Sequence, residues 1–322
     1  MKIEAAGAGF SPCGDRFVPE GYRAGLDFEG QIEQLARIEG LTGFPLMYPL
    51  DYTTPSRVRE LMKKYNLPIG TVCPDTYTKA EWKDGTLGSR DASTRKKIIK
   101  IIKESMDFCN DINGADILLW LAHDGYDYAF EDDYRTRWDY IVDGLREVTA
   151  YRSDVKVTIE YKAKEPRIHQ YISDAGKSLL ICEEINRPNL GVVLDLGHSL
   201  QAGGNPAESV ALLDRYKRLF HVHLNDNYRS WDDDLLLGSV HFWETLEFFY
   251  WLNKIGYDGW YVIDIWPARV DGLKALQESV RRTGYFMELA KSLPYEEIKK
   301  LQDENKTVDI LELVREASLK GL

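Results

Sequence analysis

The sequence has little cysteine. Its four residues, Cys13, Cys73, Cys109 and Cys182, stand far apart and never form a Cys-x-x-Cys pair. That spacing gives no support to a disulfide framework or a thiolate zinc site, and reduced, mostly buried thiols are expected. Long hydrophobic runs are missing too. No stretch approaches about 18 uncharged apolar residues, and the opening Met1-Lys2-Ile3-Glu4-Ala5-Ala6-Gly7 carries neither an apolar run nor a cleavage pattern. Membrane insertion and a secretory leader are therefore not expected, and a cytoplasmic protein is. Basic runs are absent, and Asp plus Glu outnumber Lys plus Arg by 52 to 41, a net charge of -11 that opposes the phosphate backbone of nucleic acid. A dinucleotide-binding fingerprint is lacking as well. Gly7-Ala8-Gly9-Phe10-Ser11-Pro12 follows the first apolar stretch, where a doubly wound sheet would show Gly-x-Gly-x-x-Gly.

What is present is a regular alternation. Eight segments rich in strand formers cover residues 2–9, 41–49, 68–73, 115–122, 155–161, 190–196, 219–224 and 260–265. Between them, apolar residues recur at i, i+3, i+4 and i+7 over 28–38, 57–65, 94–112, 135–151, 174–185, 207–216, 243–255 and 273–289. Each helix follows its strand. Ile117-Leu118-Leu119-Trp120-Leu121 is continuously apolar, which suits a parallel sheet covered by helices. The expected fold is α/β, a (β/α)8 TIM barrel over residues 1–290 with a short C-terminal helical extension over 291–322. In that tail, 294–300 and 308–322 read as short amphipathic helices. They either pack on their own barrel or serve a homo-oligomer, a dimer or tetramer.

In such a barrel the active site forms at the C-terminal ends of the strands. Strand five closes on Glu160, strand six on Asp195 with His198 just beyond, strand seven on His223, and strand eight on Asp264. One acid closing an apolar strand is ordinarily a solvated end or a structural ion pair. Three carboxylates converging on one mouth repel each other, and burying them unpaired costs several kcal/mol each. A divalent cation resolves the conflict. Three oxygens with one imidazole favour Mn2+, Mg2+ or Co2+, with Zn2+ less suited.

If the following loop is extended, Asp232 and Asp234 project together, and with His198 they would receive a second cation beside the first. Lys162 lies two residues after Glu160 on the same strand face. It is the candidate for polarising a carbonyl oxygen. His221 sits one layer deeper than His223 and suits a supporting role, while His241 opens a helix and reads as a cap or surface residue. His123 and His169 fall in loops at the active end, with Trp120, Tyr126 and Trp266 near the same rim. Aromatic faces there can carry sugar rings.

Four motifs in order carry a resemblance. They are Ile159-Glu160-Tyr161-Lys162-Ala163-Lys164-Glu165-Pro166, then Leu194-Asp195-Leu196-Gly197-His198, then His223-Leu224-Asn225-Asp226, then Asp232-Asp233-Asp234-Leu235 followed by Gly238-Ser239. Together they resemble the xylose isomerase-like barrel superfamily, and within it the bacterial L-rhamnose isomerase branch. The resemblance implies a first, structural metal held by Glu160, Asp195, His223 and Asp264. It implies a second, catalytic metal at which His198, Asp232 and Asp234 join Asp195. Lys162 would then sit beside the terminal oxygens of a sugar, and Trp120 with Asp124-Gly125 would form the strand-four wall.

The implied activity is interconversion of an aldose and a ketose by a metal-assisted hydride shift, with Mn2+ the favoured ion and one or two ions bound. Members of that family carry a histidine in the early half of the barrel, and residues 47–51 and 73–75 contain none here. Asp51, Asp75 and His123 are the available substitutes. The closest rival is a single-metal keto-sugar epimerase or lyase that abstracts a proton next to a carbonyl, using glutamates on strands five and eight. Asp264 on strand eight is a shorter acid, and Asp234 stands where single-metal relatives often show histidine. Both differences favour the isomerase.

Overall fold

The computed structural model describes residues 1–51, 54–165 and 167–320. Pro166, at the end of the first motif, and the last two residues of the expected tail lie outside the described residues. The barrel strands are β1 (Lys2–Ala5), β2 (Phe44–Tyr48), β3 (Ile69–Pro74), β4 (Asp116–Trp120), β5 (Lys156–Glu160), β6 (Leu190–Asp195), β7 (Leu219–Leu224) and β8 (Trp260–Ile263). Neighbours run in the order β1-β8-β7-β6-β5-β4-β3-β2, every pair parallel. The seam between β1 and β2 is joined by a parallel bridge from Glu4 to Gly43 and by the Thr42 amide donating to Ile3 O at 2.8 Å. The fold is the expected (β/α)8 TIM barrel.

The helices outside the strands are α1 (Phe28–Leu35), α2 (Pro55–Tyr65), α3 (Ala92–Asp111), α4 (Tyr134–Tyr151), α5 (Ala175–Ile185), α6 (Pro206–Arg215), α7 (Phe242–Lys254) and α8 (Gly272–Ser292). Short polar residues open nearly all of them. Asp27, Thr54, Asp91, Asp133, Asp174, Asn205 and Asp271 each accept a hydrogen bond from a first-turn amide, a cap worth about 1 kcal/mol apiece. The exception is α7. His241 stands at its cap position but turns its ring to Asp226, with Nδ1 at 2.8 Å from Oδ1.

Several departures from the sequence expectation are local. β1 ends at Ala5, well short of residue 9, because Gly7–Phe10 forms a 3-10 turn. A short helix, Leu196–Gln201, follows β6 directly. A small antiparallel sheet of Gly125–Tyr126, Ile168–Gln170 and Lys164–Glu165 links the loops after β4 and β5. Strands of two or three residues leave no periodicity to read. Beyond the barrel come α9 (Tyr295–Asp303) and α10 (Thr307–Lys320). Tyr295 stacks on Tyr250 at 4.6 Å, Ile298 is buried, and Ile310, Leu313, Val314 and Ala317 pack against the core.

All four cysteines are free thiols, three of them buried. Among the described residues no helix is long and apolar enough to cross a membrane.

Candidate metal centre

The registers of β5 to β8 bring one acid or imidazole from each strand to a common level. Glu160 pairs with Trp120 of β4, Asp195 pairs with His223, and Asp264 directly follows the pair of Leu224 and Ile263. One ligand-type atom from each of Glu160, Asp195, His223 and Asp264 lies within 4.8 Å of all the others. The first three residues are buried and Asp264 is half-buried. His223 Nδ1 stands 3.1 Å from Glu160 Oε1, 3.2 Å from Asp264 Oδ2 and 3.8 Å from Asp195 Oδ2.

Closeness here is not hydrogen bonding. Glu160 Oε1 and both ring nitrogens of His223 are buried without a hydrogen-bond partner. Buried polar atoms left unpaired are costly, and a donor set of three carboxylates and one imidazole with orphaned lone pairs fits a divalent cation. The electrostatics agree. Burial works against the Glu160 carboxylate, yet His223, His198 and Lys162 hold its pKa down at about 2. Burial lifts Asp195 to about 6, with Asp232 and Glu160 adding to the rise. Burial disfavours the His223 imidazolium, but Glu160 and Asp264 outweigh it and raise its pKa well above the ordinary value.

A second group lies alongside. His198 Nε2 and Asp232 Oδ2 are 3.1 Å apart, and His198 Nδ1 is 3.3 Å from Glu160 Oε1. Lys162 Nζ is 2.6 Å from the same Asp232 oxygen, pairs with Glu165, and lies over the Trp120 ring at 4.9 Å. Burial pulls the lysine pKa down, and Asp232, Glu165 and Asp234 more than offset it, so the ammonium stays charged. Burial likewise opposes the His198 imidazolium, while Asp195 and Asp232 raise its pKa to about 9.

The loop carrying Asp232 and Asp234 is not extended. Asp234 has φ +46°, so it does not simply repeat the direction of Asp232. Burial, with the nearby carboxylates of Asp232, Asp264 and Asp195, pushes its pKa well up against the opposing pull of Lys162. Among the described residues, only the Glu160 group brings its ligand atoms together as a candidate cation cluster.

The remaining expectations divide. Trp120 is half-buried at the mouth, 4.6 Å from the Tyr77 ring, with Nε1 buried and unpartnered. His123 Nε2 meets Tyr77 O at 3.0 Å and its Nδ1 is buried without a partner. His169 is exposed on the small sheet and stacks on Tyr126 at 5.5 Å.

Asp124 is engaged elsewhere than the strand-four wall. Its carboxylate is buried and already accepts hydrogen bonds from Thr86 N and Gly88 N at 2.8 Å and from Thr86 Oγ1. These bonds organise the loop before α3. Asp51 folds back on Met47 N at 2.9 Å, and Asp75 is engaged with Thr78 and Lys79. Of the three substitutes for an early-barrel histidine, His123 keeps an unpartnered ring nitrogen, and Asp75 Oδ2 is likewise buried without a hydrogen bond.

His221 is buried, with Nδ1 3.2 Å from Asp116 Oδ2, as its deeper layer suggests. Asn225 and Asp226, which stand in the third motif, and Asn227 just beyond it were given no role by the sequence. All three are wholly buried beside the cluster, and the signals that could have pointed to them were that motif and their place immediately after β7.

The family described as "Xylose isomerase-like TIM barrel" matches residues 15–285. The chain belongs to that family. Among curated relatives, a xylose isomerase of Thermus thermophilus is 26% identical over 209 residues, which is 63% of this chain and 54% of that enzyme. The chain thus matches about half the length of that relative. Two solved barrels of similar shape are a D-tagatose 3-epimerase-like protein and an L-ribulose 3-epimerase. The first has TM-score 0.70 at 20% identity over 90% of this chain and 98% of that one; the second has TM-score 0.70 at 16% identity over 90% and 96%. At these identities the likeness is one of fold.

Proposed function

We propose that this member of the xylose isomerase-like family is a divalent-metal-dependent sugar isomerase that interconverts an aldose and a ketose. One observation carries the reading. Five carboxylates, Glu160, Asp195, Asp232, Asp234 and Asp264, lie at one barrel mouth against one lysine and two imidazoles. That charge excess suits two divalent cations better than one. Glu160, Asp195, His223 and Asp264 would hold the first. His198, Asp232 and Asp234, sharing Asp195, would hold the second. Bound cations of this kind polarise carbonyl and hydroxyl oxygens as Lewis acids.

The chain's own residues supply orientation and shielding. Lys162, kept charged by Asp232 and Glu165, presents an ammonium to a terminal oxygen of the opened sugar. Trp120 and Tyr77 form an aromatic wall beside it. Hydrogen then passes between adjacent carbons without exchanging with water.

A second reading, a single-metal keto-sugar epimerase or lyase, is favoured by a specific contact. Lys162 and His198 already share Asp232 Oδ2, and among the described residues only the four-residue cluster converges. The names of the relatives divide between isomerase and epimerase. The deciding experiment screens free and phosphorylated sugars with Mn2+, then repeats turnover in heavy water and counts bound ions. Product carbons C1 and C2 largely free of solvent deuterium, with two ions per chain, support the isomerase. Near-complete deuterium incorporation at the carbon whose configuration inverts, with one ion per chain, supports the epimerase.

A further inference from the structure

Asp195 is held from both sides. Its Oδ1 accepts from the His198 amide at 2.7 Å, the cap of the short helix that follows β6, and its Oδ2 accepts from Asn225 Nδ2 at 2.8 Å. Rotating the carboxylate out of this plane breaks both bonds. Each oxygen retains a further lone pair.

Asn225 is itself fixed. Its Oδ1 accepts from the Gly197 amide at 2.9 Å, so a flipped amide would set oxygen against oxygen on one side and N–H against N–H on the other. Gly197 makes this approach feasible, because a Cβ there would strike Asn225 Oδ1. Asn227 joins the clasp without touching Asp195. Its Nδ2 donates to Gly197 O at 2.9 Å and reaches Asp232 Oδ1 at 3.4 Å, while its Oδ1 accepts from the Arg229 amide at 2.8 Å. Both asparagines are completely buried.

We propose that Asn225 is a positioning residue for the cation centre: it sets the direction in which Asp195 offers its oxygens, and the loop after β7 thereby governs a ligand on β6. This rests on the metal-centre reading above. A charge-assisted hydrogen bond to a ligating carboxylate fixes its orientation, and the loss of such a partner typically weakens metal binding about 10- to 100-fold. The competing explanation is that the two amides merely satisfy the buried backbone of Gly197. On that account Asn225 and Asn227 are equivalent.

The test is a titration of chelator-stripped full-length protein with Mn2+ alone, followed by the electron paramagnetic resonance of the free ion, with thermal melting of the stripped protein alongside. Asn225→Ala is expected to weaken the tightest site about tenfold or more. Asn227→Ala, an equally buried amide in the same clasp, is expected to leave that site near its wild-type affinity. Wild-type Mn2+ affinity in folded Asn225→Ala overturns the proposal, as does equal weakening by the two variants.

If Asn225→Ala does not fold, Gly197→Ala carries the test, because it keeps every polar group while its Cβ, which strikes Asn225 Oδ1 and stands 2.9 Å from Asn227 Nδ2, drives the Asn225 amide out of place and crowds Asn227 less. Unchanged affinity there is also decisive against the proposal. A wild-type protein that takes up no Mn2+ sinks the metal reading and this proposal together. Normal wild-type binding with unaffected variants sinks only the role of Asn225.

Discussion

Lys162 Nζ and Asp232 Oδ2 are 2.6 Å apart in the buried mouth of the barrel, and His198 Nε2 approaches the same oxygen at 3.1 Å. This pair ties the end of the β5 strand to the loop after β7. Removing the lysine strands an acid that has given up its water, at a cost of about 3–5 kcal/mol. Lys162→Met is therefore expected to lower the melting temperature and to reduce turnover about 10²- to 10³-fold. Adding Asp232→Asn should restore much of the stability without restoring turnover. Recovery of both together would make the pair structural only.

The pH dependence of stability follows from His198. Its folded pKa is raised to about 9 from the ordinary 6.5 by Asp195 and Asp232, which outweigh burial. The stabilisation is fully present below about pH 6.5 and is lost as pH rises through about 9, on the order of 3 kcal/mol in all. Chelator-treated protein should melt at progressively lower temperature from pH 7 to 10. His198→Asn should flatten that slope, and an unchanged slope would remove His198 as its source.

Asp234 separates catalysis from folding. Its left-handed φ of +46° is one that asparagine adopts readily, so Asp234→Asn keeps the backbone and removes only the charge. Melting should shift little while turnover falls at least about tenfold. A large loss of stability with retained turnover would contradict its assignment to a second cation.

Asp124 should behave in the opposite way. Asp124→Ala leaves the Thr86 and Gly88 amides and the Thr86 hydroxyl without an acceptor, which costs about 3 kcal/mol or more. Below its lowered melting temperature the variant should keep a wild-type KM. A raised KM in folded protein would return Asp124 to the substrate wall.

The barrel was legible because its strands are continuously apolar and its helices amphipathic, so period and length separate them without ambiguity. The four-residue cluster was legible for a related reason: an acid or histidine closing an apolar strand stands out when four consecutive strands do it. Loop geometry was not. The rule that residues i and i+2 share a direction holds for extended chain, and the left-handed backbone of Asp234 departs from it. The hydrogen bonds of Asp124 were not legible because its partners, Thr86 and Gly88, lie nearly forty residues upstream, where no local pattern connects them. The contact of Asn225 with Asp195 was not legible because an amide that orients a ligand looks, in sequence, like any polar residue after a strand.

The small antiparallel sheet has a consequence for how this barrel can be altered. Because Tyr126 pairs with His169, and His169 with Lys164, the lips of two adjacent strands are a single hydrogen-bonded piece and not two independent loops. A chimera that takes residues 125–126 from one parent and 164–170 from another cuts that piece in half. Changes of substrate range, whether by laboratory recombination or by natural drift, must therefore move both lips as one inherited unit.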